Sequence, residues 1–232
     1  MTADRSPSTG PDRGGDAADQ SSAVHGRPST VDGNLRVGVV LLAAGGSLRM
    51  GRPKQLLPLE GRPLLVRAAE AALASPAWPV VVVLGAQADA IRPALARLPV
   101  LIAENPAWAE GMASSLRAGL GVLDAFSTHI DAAIFALCDQ PAFSADTIRR
   151  LIAAQQATGR SMVAARYGGH LGAPALFLRS HFHALTTLTG DQGARQLLVT
   201  AAPDAVAAVD LPELAVDLDT PADWAAWNAD RT

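Results

Sequence analysis

Lysine is almost missing from this 232-residue chain: Lys54 is the single one, and the other 18 basic residues are arginine. Cysteine is limited to Cys138, which excludes an internal disulfide and fits a reducing compartment. Aromatic residues make up only 4%, so the core must be built from Ala, Val and Leu, and the 49% hydrophobic content supplies enough of them. No apolar run approaches the roughly 20 residues of a membrane span. No apolar segment follows the N-terminus as a secretory signal requires, so a cytoplasmic protein is expected. An excess of positive charge is lacking too; a net charge of −3 argues against a general nucleic-acid or membrane-surface binder. Between Met1 and Asn34 large apolar residues are scarce among Ser, Gly, Pro and Asp. Such a stretch cannot bury enough surface to offset its ordering entropy, and residues 1–34 read as a disordered extension before one domain, residues 35–232.

What the chain does contain is a dense pattern from Val37 to Leu65. Val37–Leu42 is a run of apolar or Gly residues without alternation, as expected of a strand buried on both faces in a parallel sheet. Ala43, Ala44, Gly45, Gly46 and Ser47 then lack bulk. Small residues let backbone N–H groups approach an anion closely, and successive N–H groups form an anion-binding concavity. Arg49 can fork onto phosphate oxygens, and Lys54 adds a compact point charge. That the lone lysine stands here suggests a need for an ammonium; a solvated surface loop is the plain alternative. Two other phosphate-binding patterns fail on spacing. Gly46 and Gly51 are spaced as in a P-loop, but Arg52-Pro53-Lys54 follows where Lys-Ser/Thr should stand. No G-x-G-x-x-G follows the strand, and the next apolar strand, Val80–Leu84, ends in Gly85 with no acidic residue for a ribose, so a dinucleotide fingerprint is absent.

Downstream, Pro63 suits the first position of a helix whose Leu64, Leu65, Ala68, Ala69, Ala72 and Leu73 recur at helical spacing. Asp89–Leu98 predicts a helix interrupted at Pro93, and Val100–Ala103 a third strand. The order β-α-β-α-β implies a parallel sheet covered by helices. A helix starting near Gly111 carries Ser114 and Ser115, where hydroxyls and N–H groups either read a base or ribose or simply cap the helix. The strand Ala132–Leu137 runs into Cys138-Asp139-Gln140-Pro141. A carboxylate just past a central strand sits where open α/β sheets bind ligands, and magnesium is commonly held by one or two carboxylates plus substrate phosphates; Asp139 is a metal ligand on that reading, or an Asx turn before Pro141. Ser144 predicts the N-cap of the helix that follows. Tyr167–Pro174 is a glycine-rich loop containing His170. Gly190–Arg195 is a tight polar loop opening a helix, suited to an anion or a polar heterocycle, with Asp191 alternatively an ordinary N-cap. Asp217 and Asp219 alternate along an extended segment and point the same way, where they repel unless a cation or water separates them. Cys138 reads as a small buried filler.

With these residues in view, A-A-G-x-S-x-R-M-G-x-x-K-Q-L-L-P-x-x-G-x-P-L-L, starting at Ala43, resembles the signature of the MobA-like nucleotidyltransferases. N-x-x-W-x-x-G-M-x-S-S-L from Asn105, D-Q-P from Asp139, G-D-x-G-A-R from Gly190 and D-x-D-T-P-x-D from Asp217 are similar to that family's later segments in the same order, across roughly residues 35–228. Within the family the chain is most similar to the molybdenum-cofactor (molybdopterin) cytidylyltransferases. The resemblance implies a three-layer α/β/α, Rossmann-like nucleotidyltransferase fold with a mostly parallel central sheet. It implies transfer of CMP from CTP to the phosphate of molybdopterin with release of pyrophosphate. Arg49, Lys54 and Asp139 are then catalytic. Ala43, Ala44, Gly45, Gly46, Ser47, Arg49, Lys54, Gly111 and Ser115 hold the nucleotide. Asp139 and Asp219, with Asp217 as close alternative, hold magnesium, for which manganese can substitute. Gly172, Pro174, Gly190, Asp191 and Arg195 face the acceptor. The implied partners are a nucleoside triphosphate, a molybdopterin-type acceptor and a client molybdoenzyme, with no nucleic acid and no membrane. Three alternatives stay open: guanylyl or other nucleotidyl transfer to a different phosphorylated acceptor, an NAD(P)H oxidoreductase of the nicotine-blue type built on the same domain, and a non-catalytic carrier that hands molybdenum cofactor to a client enzyme.

Overall fold

A strand that is apolar on both faces needs a helical layer on each side. The computed structural model, which describes residues 35–202 and 204–229, supplies both. The stretch expected to be an N-terminal extension lies outside the described residues. In chain order the elements are β1 (Val37–Leu42), a small ribbon of β2 (Pro58–Leu59) and β3 (Arg62–Pro63), α1 (Leu64–Leu73), β4 (Val80–Leu84), α2 (Ala88–Ile91), β5 (Leu101–Glu104), α3 (Met112–Phe126), β6 (Ala132–Leu137), α4 (Ala145–Thr158), β7 (Met162–Tyr167), β8 (His170–Leu178), α5 (Phe182–Thr186), α6 (Arg195–Thr200), β9 (Val206–Asp210) and α7 (Pro221–Ala229). Seven strands form one sheet in the order β5-β4-β1-β6-β8-β7-β9. Only β8 runs against the rest: it pairs antiparallel with β6 and β7, while the other neighbours are parallel. The expected three-layer, mostly parallel architecture is what the chain adopts.

The two-residue period of the strands sorts side chains into two cores. Val37, Val39 and Leu41 of β1 point to the α1 and α4 face, among Leu65, Ala69, Ala72, Ile148 and Leu151. Val40 points to the other face, among Leu116, Leu120 and Leu123 of α3 and Leu185 of α5. On this second face glycines set the spacing. A Cβ at Gly119 would lie 2.3 Å from Val40 Cγ1, and one at Gly38 would lie 2.5 Å from Leu123 Cδ1. Helix α3 therefore rests directly on β1, and its N-terminus reaches the carboxyl edge of the sheet.

Three local expectations change. Pro63 pairs in the β2–β3 ribbon and precedes the helix rather than opening it, because Leu64 N donates back to Leu57 O at 2.9 Å. The segment from Asp89 to Leu98 yields only the single turn α2 and a 3₁₀ turn, Arg92–Leu95, as expected where Pro93 removes a backbone donor. The glycine-rich loop Tyr167–Pro174 is instead a tight hairpin: Gly168 and Gly169 adopt positive φ of 55° and 78°, and β8 already starts at His170. Ser144 caps α4 as expected, in a reciprocal box with Thr147.

The chain leaves β1 toward β4 and leaves β6 toward β7, in opposite directions across the sheet. The carboxyl ends of these neighbouring strands are thus the point where strand order reverses, the place where open α/β sheets form a ligand crevice. The packing of α3 on β1 can be tested with two glycines of the same helix. Gly119→Ala should lower unfolding free energy by about 1–3 kcal/mol through overpacking against Val40. Gly121→Ala, which meets nothing within 4 Å, should be neutral or stabilising by up to about 1 kcal/mol; urea unfolding of both variants measures the contrast.

Candidate active site

The loop after β1 is held from behind by a buried amide. Gln55 is 1% exposed, and its Nε2 donates to Ala43 O at 2.8 Å and Gly45 O at 2.9 Å. Ser47 takes the left-handed conformation; its Oγ donates to Gln55 Oε1 at 3.2 Å and accepts from Lys54 N at 3.1 Å. Small residues are required here by neighbours as well as by any ligand, since a Cβ on Gly46 would sit 3.3 Å from the Trp108 ring.

Lys54 leaves this loop at the start of a 3₁₀ turn and is only 15% exposed. Its Nζ donates to Asp139 Oδ2 and, at 2.8 Å, to Asp219 Oδ1. Arg49 donates to the other oxygen of Asp219, Oδ2, at 2.8 Å. Burial works against the Lys54 ammonium, but the Asp139 carboxylate and the hydrogen bonds from both aspartates outweigh it and hold the lysine well above its usual value. For Asp219, burial is likewise overcome by the bond and charge of Lys54 and by Arg49, and its pKa is lowered. Burial first, then the neighbouring Asp139 charge, push the Cys138 thiol up to about 12, so it is an inert filler.

Asp219 reaches this point because its segment is pinned on both sides. Leu218 N donates to Asp139 O at 3.0 Å, and the Leu218 side chain is buried among Leu59, Leu64, Trp224 and Trp227. Asp223 Oδ2 accepts from Asp219 N at 3.2 Å and from Thr220 N and Oγ1 at 2.8 Å each. Asp223 therefore shapes the turn that presents Asp219, rather than serving as a plain surface residue of the closing helix. Gln140, also buried, joins the β6 end to the hairpin and the C-terminal segment: its Nε2 donates to Tyr167 Oη at 3.1 Å, Ala173 O at 3.2 Å and Leu214 O at 3.4 Å.

Two clefts open at this edge and share Leu42, Met112 and Leu137 as common wall. The first, of about 400 Å³, is lined by Ala43, Ala44, Gly45, Gly46, Lys54 and Asp139, and across from the β1 loop by Trp108, Gly111, Met112, Ser115 and Asp191. The second, of about 230 Å³, is lined by Tyr167, His170, Gly172, Arg195 and Asp217. The sequence-predicted residues thus divide. The small-residue turn, Lys54, Gly111, Ser115 and Asp139 meet in the first cleft. Arg49 and Asp219 stand beside it through their bonds to each other and to Lys54. Ser47 serves the loop itself. Gly172 and Arg195 share the second cleft with Asp217. Asp191, expected with them, lies in the first cleft instead, because Gly190 O accepts from Ala113 N at 3.1 Å and seats that loop on the start of α3. Asp191 is not an N-cap either; α6 starts after Ala194. Pro174 is buried within β8 and lines neither cleft.

Sequence reasoning missed the buried amides Gln55, Asn105 and Gln140 and the cleft residue Trp108. Asn105 Nδ2 donates to Ser114 Oγ at 2.8 Å and Ser115 Oγ at 3.0 Å, which fixes the hydroxyls at the start of α3. Ser114 donates to Gly111 O at 2.8 Å and so belongs to the helix start. The signal for these amides was the placing of Gln and Asn within two residues of apolar runs, where an unpaired amide would be costly to bury.

The donor set fits a divalent cation. Asp139 Oδ1 is buried with no hydrogen-bond partner among the described residues, and a second carboxylate stands across from it. Among the described residues no group of three His, Cys, Asp or Glu side chains forms a closed metal cage. Two protein carboxylates with the remaining ligands left to substrate oxygens is the arrangement magnesium and manganese accept.

A sheet whose reversal point carries cations from the first turn and carboxylates from two later segments is that of an α/β protein built to bind a ligand in this crevice. Family comparison narrows this: the MobA-like NTP transferase domain matches residues 39–217, and the chain belongs to that family. It is 38% identical over 169 residues to the nicotine blue oxidoreductase of Paenarthrobacter nicotinovorans, covering 68% of this chain and 79% of that one. It is 30% identical over 197 residues to the purine catabolism protein PucB of Bacillus subtilis (strain 168), covering 80% and 92%. Among solved structures it is similar to Rv0371c of Mycobacterium tuberculosis H37Rv in complex with manganese, at 29% identity and a TM-score of 0.68, over 82% of this chain and 97% of that one.

Asp217 supplies a test of the electrostatics. Partial desolvation of the carboxyl, on a residue that is exposed as a whole, and then the charges of Asp139 and Asp219 raise its pKa from 3.8 to about 6. The folded chain thus holds this proton more tightly than the unfolded chain, and the stability it contributes is lost as pH rises through about 6. Asp217→Asn should therefore raise the melting temperature of the metal-free protein at pH 8, with the gain fading toward pH 4; thermal scans across that range measure it.

Proposed function

We propose that this chain transfers CMP from CTP to the terminal phosphate of a molybdopterin-type acceptor, releasing pyrophosphate in a magnesium-dependent reaction. The observation that carries the reading is the meeting of Lys54 and Arg49 with Asp139 and Asp219 at the first cleft, whose lining includes Lys54, Asp139 and the small-residue turn. The nucleophile, a phosphate oxygen, is already anionic, so no strong base is needed, and positioning with charge neutralisation carries the catalysis. Arg49 and the Gly45–Gly46 turn neutralise the phosphates that leave. Lys54 stabilises charge building on the α-phosphate. Asp139 and Asp219 would hold the divalent ion, which supplies Lewis acidity at the reacting phosphates. Gly111, Ser115, Trp108 and Asp191 surround the nucleoside, and Gly172 and Arg195 meet the acceptor. The inert Cys138 and the net negative charge fit a cytoplasmic setting with small-molecule partners and a client molybdoenzyme. Among the described residues no helix is long and apolar enough to cross a membrane.

The likeness to nicotine blue oxidoreductase favours a second reading, reduction of a heterocycle by NADH or NADPH. Against it, β1 is not followed by G-x-G-x-x-G, and no acidic residue follows β4 directly. Consumption of NADPH without pyrophosphate release would decide for it.

On the transfer reading, incubation with magnesium, purified molybdenum cofactor and CTP, GTP or ATP should release pyrophosphate most rapidly with CTP; a lead for GTP would move the assignment to guanylyl transfer. Lys54→Ala should lower kcat by about 10²–10³, and near-normal turnover would remove Lys54 from the mechanism. Asp191→Asn should raise KM for the nucleotide more than KM for the acceptor, which steady-state kinetics with each substrate varied in turn would separate.

A further inference from the structure

The position between the two proposed metal-ligating carboxylates is filled by a side chain of the protein itself. Three of their four oxygens have cationic partners: Asp139 Oδ2 and Asp219 Oδ1 take Lys54 Nζ, and Asp219 Oδ2 takes Arg49. Only Asp139 Oδ1 is left, buried and unpartnered. A bare divalent cation entering here must break both lysine bonds and then sit beside a displaced, half-buried ammonium, and like charges at that distance repel strongly where water is scarce. A triphosphate changes this balance. The adjoining cleft, lined by Gly45 and Gly46, offers phosphate oxygens as new partners for Nζ within the reach of its four-carbon stem.

Resting on the nucleotide-transfer reading, we propose that Lys54 is the gate of the metal site: it holds Asp139 and Asp219 as a stand-in cation and yields them when a nucleotide's phosphates draw its ammonium away. Nucleotide then loads before the metal or together with it, and each strengthens the other's binding by the same factor. This accounts for the one lysine in a chain that otherwise uses arginine. An arginine fork would hold carboxylates bidentately and resist transfer, whereas a single point charge on a flexible stem can change partners. Arg49 is an outer partner, since it is 70% exposed and touches Asp219 alone.

The test is Mn²⁺ titration of the full-length protein, followed by electron paramagnetic resonance of free Mn²⁺, with and without a CTP analogue whose α–β bridging oxygen is methylene, the Mn²⁺ that the analogue chelates without protein being measured separately and subtracted. Wild type should bind Mn²⁺ weakly alone and at least about tenfold more tightly with the analogue. Lys54→Met should bind Mn²⁺ alone at least about tenfold more tightly than wild type, and Arg49→Met should change that affinity far less. Lys54→Gln, which keeps a hydrogen-bond donor, is read alongside in case Lys54→Met folds poorly. If both Lys54 variants fold and bind Mn²⁺ alone no better than wild type, the gate is wrong, while pyrophosphate release by wild type leaves the transfer reading standing. If the analogue does not strengthen Mn²⁺ binding in wild type, the gate has no key and the proposal falls. Pyrophosphate release then decides separately whether the transfer reading falls with it.

Discussion

Everything at the carboxyl edge of the sheet depends on the ionic contact among Lys54, Asp139 and Asp219. These residues come from the β1 loop, the end of β6 and the segment before α7, and no local structure would bring them together. The contact is worth having only if the surroundings hold all three in place, because an unpaired charge in a half-buried position is costly. Much of the local chain is arranged to meet that condition. Gln55 fixes the loop that carries Lys54, the Leu218–Asp139 backbone bond fixes the segment that carries Asp219, and Asp223 closes the turn beside it.

The supporting residues share a chemistry. Gln55, Asn105 and Gln140 are buried amides: Gln55 binds two carbonyls of the β1 loop, Asn105 two hydroxyls at the start of α3, and Gln140 groups of the hairpin and of the C-terminal segment. An amide is neutral, so it can be buried without the penalty of a charge, and it donates in two directions. These three therefore act as rigid ties around the charged residues of the site. The same division appears in the packing. Gly38 and Gly119 let α3 lie against β1, which brings Gly111 and Ser115 opposite the small-residue turn. One wall of the first cleft is thus positioned by a close helix–strand contact and the other by an amide.

Much of the architecture was legible in the residues. The uninterrupted apolar runs of β1, β4 and β6 suited strands buried on both faces of a parallel sheet, and the small residues after β1 stand at its crevice. The lone lysine marked its own importance by contrast with 18 arginines. Asp139 and Asp219 were singled out by residue type and family resemblance, and the fold places both on Lys54. The structure places other positions differently from the sequence expectation, for physical reasons. Asp191 sits in a polar loop that could face either cleft, and its side is decided by the bond from Ala113 to Gly190. The Tyr167–Pro174 segment reads as a loop because its glycines are turn formers, yet they shape a hairpin whose arms are sheet.

Local patterns of size, charge and period determined on their own that this chain forms a helix-covered, mostly parallel sheet with a turn of small residues after its first strand. Those properties depend only on neighbours in sequence. The tertiary structure alone decided which carboxylates meet the lysine, which amides support them and which cleft each loop joins, because each of these is a contact between groups separated by dozens of residues and made only when the sheet has assembled.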